Sequence, residues 1–203
     1  MKSIMISIRP EWTQKILNKE KLVEIRKTMP KCELPVKVYI YCTNNKKHTV
    51  APFRFVEGWF YREYNDNTSY SNGCLANMGE TINGKVVAEF TLNQVDTIEI
   101  CDPCVLRNGE QQDWHWFKSN ACLDSEEMMS YIGYGDDHDG WGSEYAKGYA
   151  WHIDDLKIYG KPKELSEFST ISHRMKGKES RFTSHLLQRP FQSWGYVQEL
   201  EEV

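Results

Sequence analysis

Apolar and polar residues alternate from Ser3 to Ile8, the period-two pattern of a strand with one buried face. Pro10 suits a first helical position, whose amide has no partner inside a helix. Trp12, Ile16 and Leu17 then give an apolar face that predicts a helix through Asn18. After the polar turn Asn18-Lys19-Glu20-Lys21, the residues Leu22, Val23 and Ile25 predict a second strand, which Met29-Pro30 ends. Val36 to Cys42, VKVYIYC, is β-branched and aromatic throughout and is the strongest β segment of the chain. From Thr43 to Asn83 the period fades into Asn, Ser, Gly and Tyr, which predicts a loop-rich insertion.

The turn pair Asn83-Gly84 precedes KVVAEFTLNQVDTIEI, a long β run in which Asn93 marks a bulge or bend. Cys101 to Cys122 carries no period and is expected to be irregular. Ser125-Glu126-Glu127 supplies an N-cap and an acidic first turn, so a helix is predicted through Met128, Met129, Tyr131 and Ile132, ending at Gly133 and Gly135. GDDHDGWG reads as a loop, Ser143 to Lys147 as a short helix, and Gly148 to Tyr159 as a second long strand closed off by Pro162. Ser169 to His185 reads as a polar, basic loop, and Arg189 to Val197 as a last strand. No internal repeat is evident.

A chain of 203 residues that is 40% hydrophobic and carries seven Trp and eleven Tyr can bury one good core, so a single folded domain is expected. No stretch approaches the roughly 20 apolar residues of a membrane helix, and MKSIMISIRP lacks the apolar block of a signal peptide. The expected location is the cytoplasm, where the six cysteines are free thiols. A net charge of −4 excludes a general nucleic-acid coat, which needs many cations to neutralise phosphates. It leaves local basic patches, at Arg9 to Lys31, Lys46-Lys47 and Arg174 to Arg181, each equally readable as a solvated face.

Three constellations carry candidate chemistry. In NKEKLVEIRK, strand alternation puts Glu24 and Arg26 on one side and Val23 and Ile25 on the other. A carboxylate beside Lys21, Arg26 and Lys27 can meet the hydrogen-bonding edge of a base while the cations hold a phosphate or carbonyl. The same pattern is also that of an ordinary cross-strand ion pair. Glu89 sits inside the apolar run Val86 to Leu92, on the side of Val87 and Thr91. In Tyr149-Ala-Trp-His-Ile-Asp-Asp, Trp151 offers a stacking surface with His152 beside it, though a core Trp is the commoner use. Cys101-Asp-Pro-Cys104 has the spacer of a zinc site. His115, Cys122 or the acidic run Asp136 to Asp139 would have to complete it, since no second Cys pair exists. The phosphate-binding, dinucleotide, serine-hydrolase and zincin motifs are missing, and no cofactor is expected.

The order of these motifs resembles the ASCH family, a branch of the PUA-like barrels. Ser7-Ile-Arg-Pro-Glu-Trp followed by Ile16 to Arg26 is similar to the family's strand, helix and Gly-x-Lys opening. Gly84-Lys-Val-Val-Ala-Glu-Phe90 resembles its central strand, and residues 148–168 its closing strand. The three blocks leave insertions at about 44–82 and 101–147. The resemblance implies an α+β fold: a PUA-like (ASCH) mixed β-barrel with short peripheral helices and two loop-rich insertions, forming one domain over 1–203. It also implies a cleft that binds RNA or a modified nucleobase or nucleoside.

In that cleft Lys21, Arg26 and Lys27 would engage phosphate or a carbonyl, Glu24 would read an amino edge, and Trp12 or Trp151 would stack beside His152. Some members hydrolyse acylated cytidine with a Lys, a Thr and a later Glu, which fall here on Lys21, Glu24 and Glu89. A carboxylate at the nucleophile's place counts against that activity. Lys19 stands where the family often has Gly, implying a less tight turn. A protein-interaction role carried by the insertions is a further alternative.

Overall fold

The computed structural model describes residues 2–44, 53–56, 59–64, 67–68, 80–101, 104–134, 145–176 and 179–200. Two compact units emerge, one of Met1–Leu17, Val36–Phe90 and Leu156–Val203, the other of Asn18–Pro35 and Thr91–Asp155. In chain order, Lys2–Ile8 is β1, Pro10–Leu17 is α1, Val23–Arg26 is β2 and Val36–Cys42 is β3. Phe53–Val56 (β4), Trp59–Tyr64 (β5), Asn67–Thr68 (β6) and Glu80–Thr81 (β7) follow, then Lys85–Leu92 (β8) and Val95–Cys101 (β9). Cys104–Arg107 (β10) and Glu110–Gln112 (β11) lead to the helices Trp114–Ala121 (α2) and Ser125–Ile132 (α3). Ala146–His152 (β12), Asp154–Glu164 (β13), Ser169–Lys176 (β14), Glu179–Leu186 (β15) and Trp194–Gln198 (β16) complete the chain. The architecture is therefore mixed, with three short α-helices among the described residues; α1 and α3 are where the sequence pattern predicts them, and α2 is not predicted.

The first unit is built on the sheet β13-β8-β3-β1-β16. Its centre is the parallel pair β1–β3, with Ile4 opposite Val38 and Ile6 opposite Ile40, and β16 pairs antiparallel on the far side of β1. Central strands of this kind are covered on both faces. The alternation from Ser3 to Ile8 accordingly does not mean one wet face: Ser3 and Ser7 are buried with their neighbours, and the Ser7 hydroxyl donates to the Phe191 carbonyl at 2.6 Å. Tyr39, Tyr41, Met5, Val86, Phe168, Leu187 and Val197 form one core cluster, in which Tyr39 meets Phe168 edge-to-face at 4.9 Å. On β16, a Cβ at Gly195 would run into the Phe191 ring, so the glycine is where that ring lies on the strand.

The second unit carries the antiparallel sheet β11-β10-β9-β12-β2. Side chains of directly opposed residues share a face. Ile25, Ala150, Ile98, Ile100 and Val105 are therefore together on one face and are all buried. The buried side chain of Ile132 on α3 reaches this face at Gly148, where an added Cβ would lie 2.9 Å from its Cδ1. The helix is capped one residue earlier than predicted, because the Asp124 carboxylate accepts from the Glu127 amide at 2.8 Å while Glu127 accepts from the Asp124 amide at 3.1 Å. Gly133 at φ +97° ends it.

Several predicted elements take another form. The run after Gly84 is two strands in two different sheets, β8 and β9, parted at the Asn93 position where a bend was expected. The long strand from Gly148 is likewise two, β12 and β13, separated at Ile153 with Asp155 at φ +48°. Lys147 is in strand β12 rather than a helix, held by pairing with Glu99 of β9. The stretch 101–122 contains a hairpin turning at Asn108-Gly109, both at positive φ, and the helix α2. Ser169 to His185 is not a loop but the hairpin β14–β15.

Phe168 is fully buried against Tyr39, so Phe168→Ala is expected to lower unfolding free energy by about 3–5 kcal/mol. Urea unfolding followed by circular dichroism measures this, and a loss below about 1 kcal/mol would contradict the packing described.

Candidate functional site

The site starts with a turn. Lys19 adopts φ +59°, the left-handed conformation that glycine takes without strain, so the turn after α1 keeps its tight form despite the lysine. The segment that follows is tied to the C-terminal end of α2. The Leu22 amide donates to the Asn120 carbonyl at 2.7 Å, the Cys122 thiol donates to the Glu20 carbonyl at 3.4 Å, and Lys21 Nζ donates to the Ala121 carbonyl at 2.5 Å. The last carbonyls of a helix have no partners within it and carry its negative dipole end, so an ammonium group is well placed there.

From this anchor Lys21 reaches Glu24, with Nζ 3.3 Å from Oε2, while an Arg26 terminal nitrogen lies 3.1 Å from Oε1. All three side chains are buried, Lys21 at 2%, Glu24 at 8% and Arg26 at 6% exposure. The carboxylate is thus clamped at both oxygens by two cations with little water present, which strengthens the attraction and makes each charge dependent on the others. Register places Trp151 opposite Glu24 and Tyr149 opposite Arg26, so these aromatics share the charged face. Trp151 is fully buried and Tyr149 partly so.

The other sequence candidates belong to other elements or to the other unit. Lys27 is exposed at the end of β2. Trp12 belongs to α1 in the first unit, with Lys15 Nζ 4.8 Å from its ring centre. Glu89 is also in the first unit, where its Oε2 accepts from the Tyr159 hydroxyl at 2.5 Å and Lys37 and Lys157 lie 3.9 and 3.7 Å from Oε1. Cys101 and Cys104 face each other across the β9–β10 hairpin. No group of three or more His, Cys, Asp or Glu able to hold a metal is found among the described residues; Asp136 to Asp139 lie outside them.

His152 is on the opposite face of β12 from Trp151, and there it meets a carboxylate the sequence reading missed. Asp96, 1% exposed, receives His152 Nε2 at 2.8 Å, Gln94 at 2.6 Å and Asn108 at 2.9 Å, with Arg107 3.5 Å away over the Trp116 ring. The signal was present: alternation along β9 puts Asp96 on the side of Ile98 and Ile100. Burial pushes this carboxyl up, but the hydrogen bonds from Gln94, His152 and Asn108 outweigh it and hold it below the ordinary 3.8.

No protein-family model matches the sequence, and no curated protein matches it. Among solved structures the chain is similar to the ASCH protein of Zymomonas mobilis, with 16% identity, a TM-score of 0.44, and coverage of 80% of this chain and 73% of that one. Two variants of that protein, one with a tyrosine changed to phenylalanine and one with a serine changed to alanine, match at a TM-score of 0.42 and 16% identity. These cover 80% of this chain and 76% and 74% of theirs. ASCH is the family the three sequence blocks resemble. No helix among the described residues is long and apolar enough to cross a membrane.

Removing Glu24 alone takes a counter-charge away from two buried cations, so Glu24→Ala is expected to cost about 3–5 kcal/mol. The triple replacement Lys21→Met, Glu24→Leu, Arg26→Met should recover most of that, because no charge remains to be compensated. Chemical denaturation of the two variants tests the coupling, and equal stability losses would refute it.

The Asp96 carboxyl titrates lower when folded than when unfolded. Its stabilisation is therefore fully present above the ordinary carboxylate value and is lost as pH falls through the depressed folded one. Asp96→Asn should flatten the acid limb of a stability–pH profile, and an unchanged limb would exclude this linkage.

Proposed function

We propose that the chain is a binding module of the ASCH type for RNA or a modified nucleobase, its strands curved into a PUA-like barrel. Of these ligands, the charge arrangement favours a free base or nucleoside. The carrying observation is Glu24, a buried carboxylate fixed at both oxygens by Lys21 and Arg26 and flanked across the strand by Trp151 and Tyr149. A planar acceptor held rigid in low dielectric suits the N–H or amino edge of a heterocycle, and the partly exposed Tyr149 suits its face, while the fully buried Trp151 backs the site rather than stacking on a ligand.

The two cations are already engaged by Glu24, and the chain as a whole is acidic, at −4. This leaves little positive charge at the site for a polyphosphate, whose binding rests on neutralising many phosphates. Lys27, exposed at the end of the same strand, remains for a single phosphate. His152 and Trp12 fall outside this reading, one on the opposite sheet face and the other on α1.

Titration of tryptophan fluorescence with acetylcytidine, cytidine and a short single-stranded RNA at two salt concentrations tests the proposal. The modified nucleoside is expected to bind with little salt dependence. Glu24→Gln, which keeps the side-chain shape, is expected to weaken that binding at least roughly tenfold. Absence of binding to every probe would reject the module, and binding of the RNA alone with a steep salt slope would reject the preference for a free nucleoside.

One observation keeps an amidohydrolase in view: Lys21 Nζ is within 3.3 Å of the Glu24 carboxylate, the proximity proton transfer requires. Against it, Lys21 also donates to Ala121, and no hydroxyl stands at position 24. Release of acetate from acetylcytidine, lost in Lys21→Met, would establish it.

A further inference from the structure

We propose that Cys101 and Cys104 are a reversible thiol–disulfide pair that closes across the β9–β10 hairpin by exchange with a small-molecule disulfide. The two residues are directly opposed in the antiparallel register, with Asp102-Pro103 between them in sequence. Opposed residues of such a pair have Cα atoms about 4.5–5.5 Å apart, inside the roughly 4.4–6.8 Å span of a disulfide. Their Cβ atoms, at about 4.5–5.5 Å, must close by about 1 Å to reach disulfide spacing. The bond is therefore formed at some cost to the strand pair, which makes it readily reduced rather than permanent.

Both thiols are free and partly exposed, as exchange requires. Cys42 differs: burial raises its thiol to about 12, and its Sγ lies 3.7 Å from the Asn83 side-chain oxygen. Low thiolate content and lack of access keep it out of exchange. The reaction balances in two steps. The thiolate of one cysteine attacks the small disulfide, forming a mixed disulfide and expelling one small thiolate. The second cysteine's thiolate then attacks the protein sulfur of that mixed disulfide, forming Cys101–Cys104 and expelling the second small thiolate. Two protons leave the protein thiols, the pair is oxidised, and the small disulfide is reduced to two thiols. Closure lies on β9, the strand that also carries Asp96, and does not depend on the ligand read for Glu24.

The full-length protein is incubated with oxidised and reduced glutathione at graded ratios, trapped by alkylation and mapped by mass spectrometry. The peptide holding residues 101–104 is expected to lose two hydrogens and carry neither glutathione nor alkyl label, and to regain both labelling sites after reduction. In Cys104→Ser, which lacks the resolving thiol, Cys101 is expected to accumulate as the glutathione mixed disulfide. Three results overturn the proposal. One is alkylation of both cysteines at every ratio; another is a stable mixed disulfide in the unsubstituted protein. The third is stoichiometric zinc in the purified protein that is released by Cys104→Ser, which would make the pair part of a metal site.

Discussion

Glu24 is a carboxylate withdrawn from water, and the local structure is organised by the need to keep it compensated. An ion moved from water into the interior costs several kcal/mol unless partners are held at close range. Two are held here by different means: Arg26 by its place two residues along the same strand, Lys21 by the end of a helix a hundred residues later in the chain. The second tether explains why α2 matters to a site it contributes no charged group to. Its terminal carbonyls fix the ammonium, the ammonium fixes one oxygen of Glu24, and the carboxylate plane is then set.

The same logic separates three carboxylates that the sequence makes look alike. Glu24 is neutralised by two full charges. Asp96 is satisfied by a histidine, two side-chain amides and an arginine. Glu89 takes a phenol hydrogen bond with two lysines at longer range. Of the three, only Glu24 combines cations on both oxygens with aromatic neighbours on its own sheet face.

What was legible in the sequence follows the range of the forces involved. The first helix, the strand from Val36 and the helix after Asp124 are set by neighbours a few residues away, through periodicity and capping, and were readable to within a residue or two. The partnership of Glu24 with Arg26 was readable from alternation alone. Its connection to Ala121 was not, since no local pattern encodes a contact between residues 21 and 121. Composition is β-like on both sides of Asn93 and of Ile153, so local pattern alone gives one continuous strand at each. What divides them is assignment to separate sheets, a tertiary choice. The Asn108-Gly109 dipeptide is a strong local turn signal, and Asp96 is an acid on an apolar strand face, so both of these features lie within reach of local pattern.

The ring of Phe191 resting on the bare backbone of Gly195 means that these two positions share one volume. A larger residue at 195 demands a smaller one at 191, and the Ser7 hydroxyl, bonded to the Phe191 carbonyl, fixes where that trade takes place. Across natural relatives of the chain the two sites should therefore drift as a linked pair, giving a covariation mark for the seam between the first and last strands.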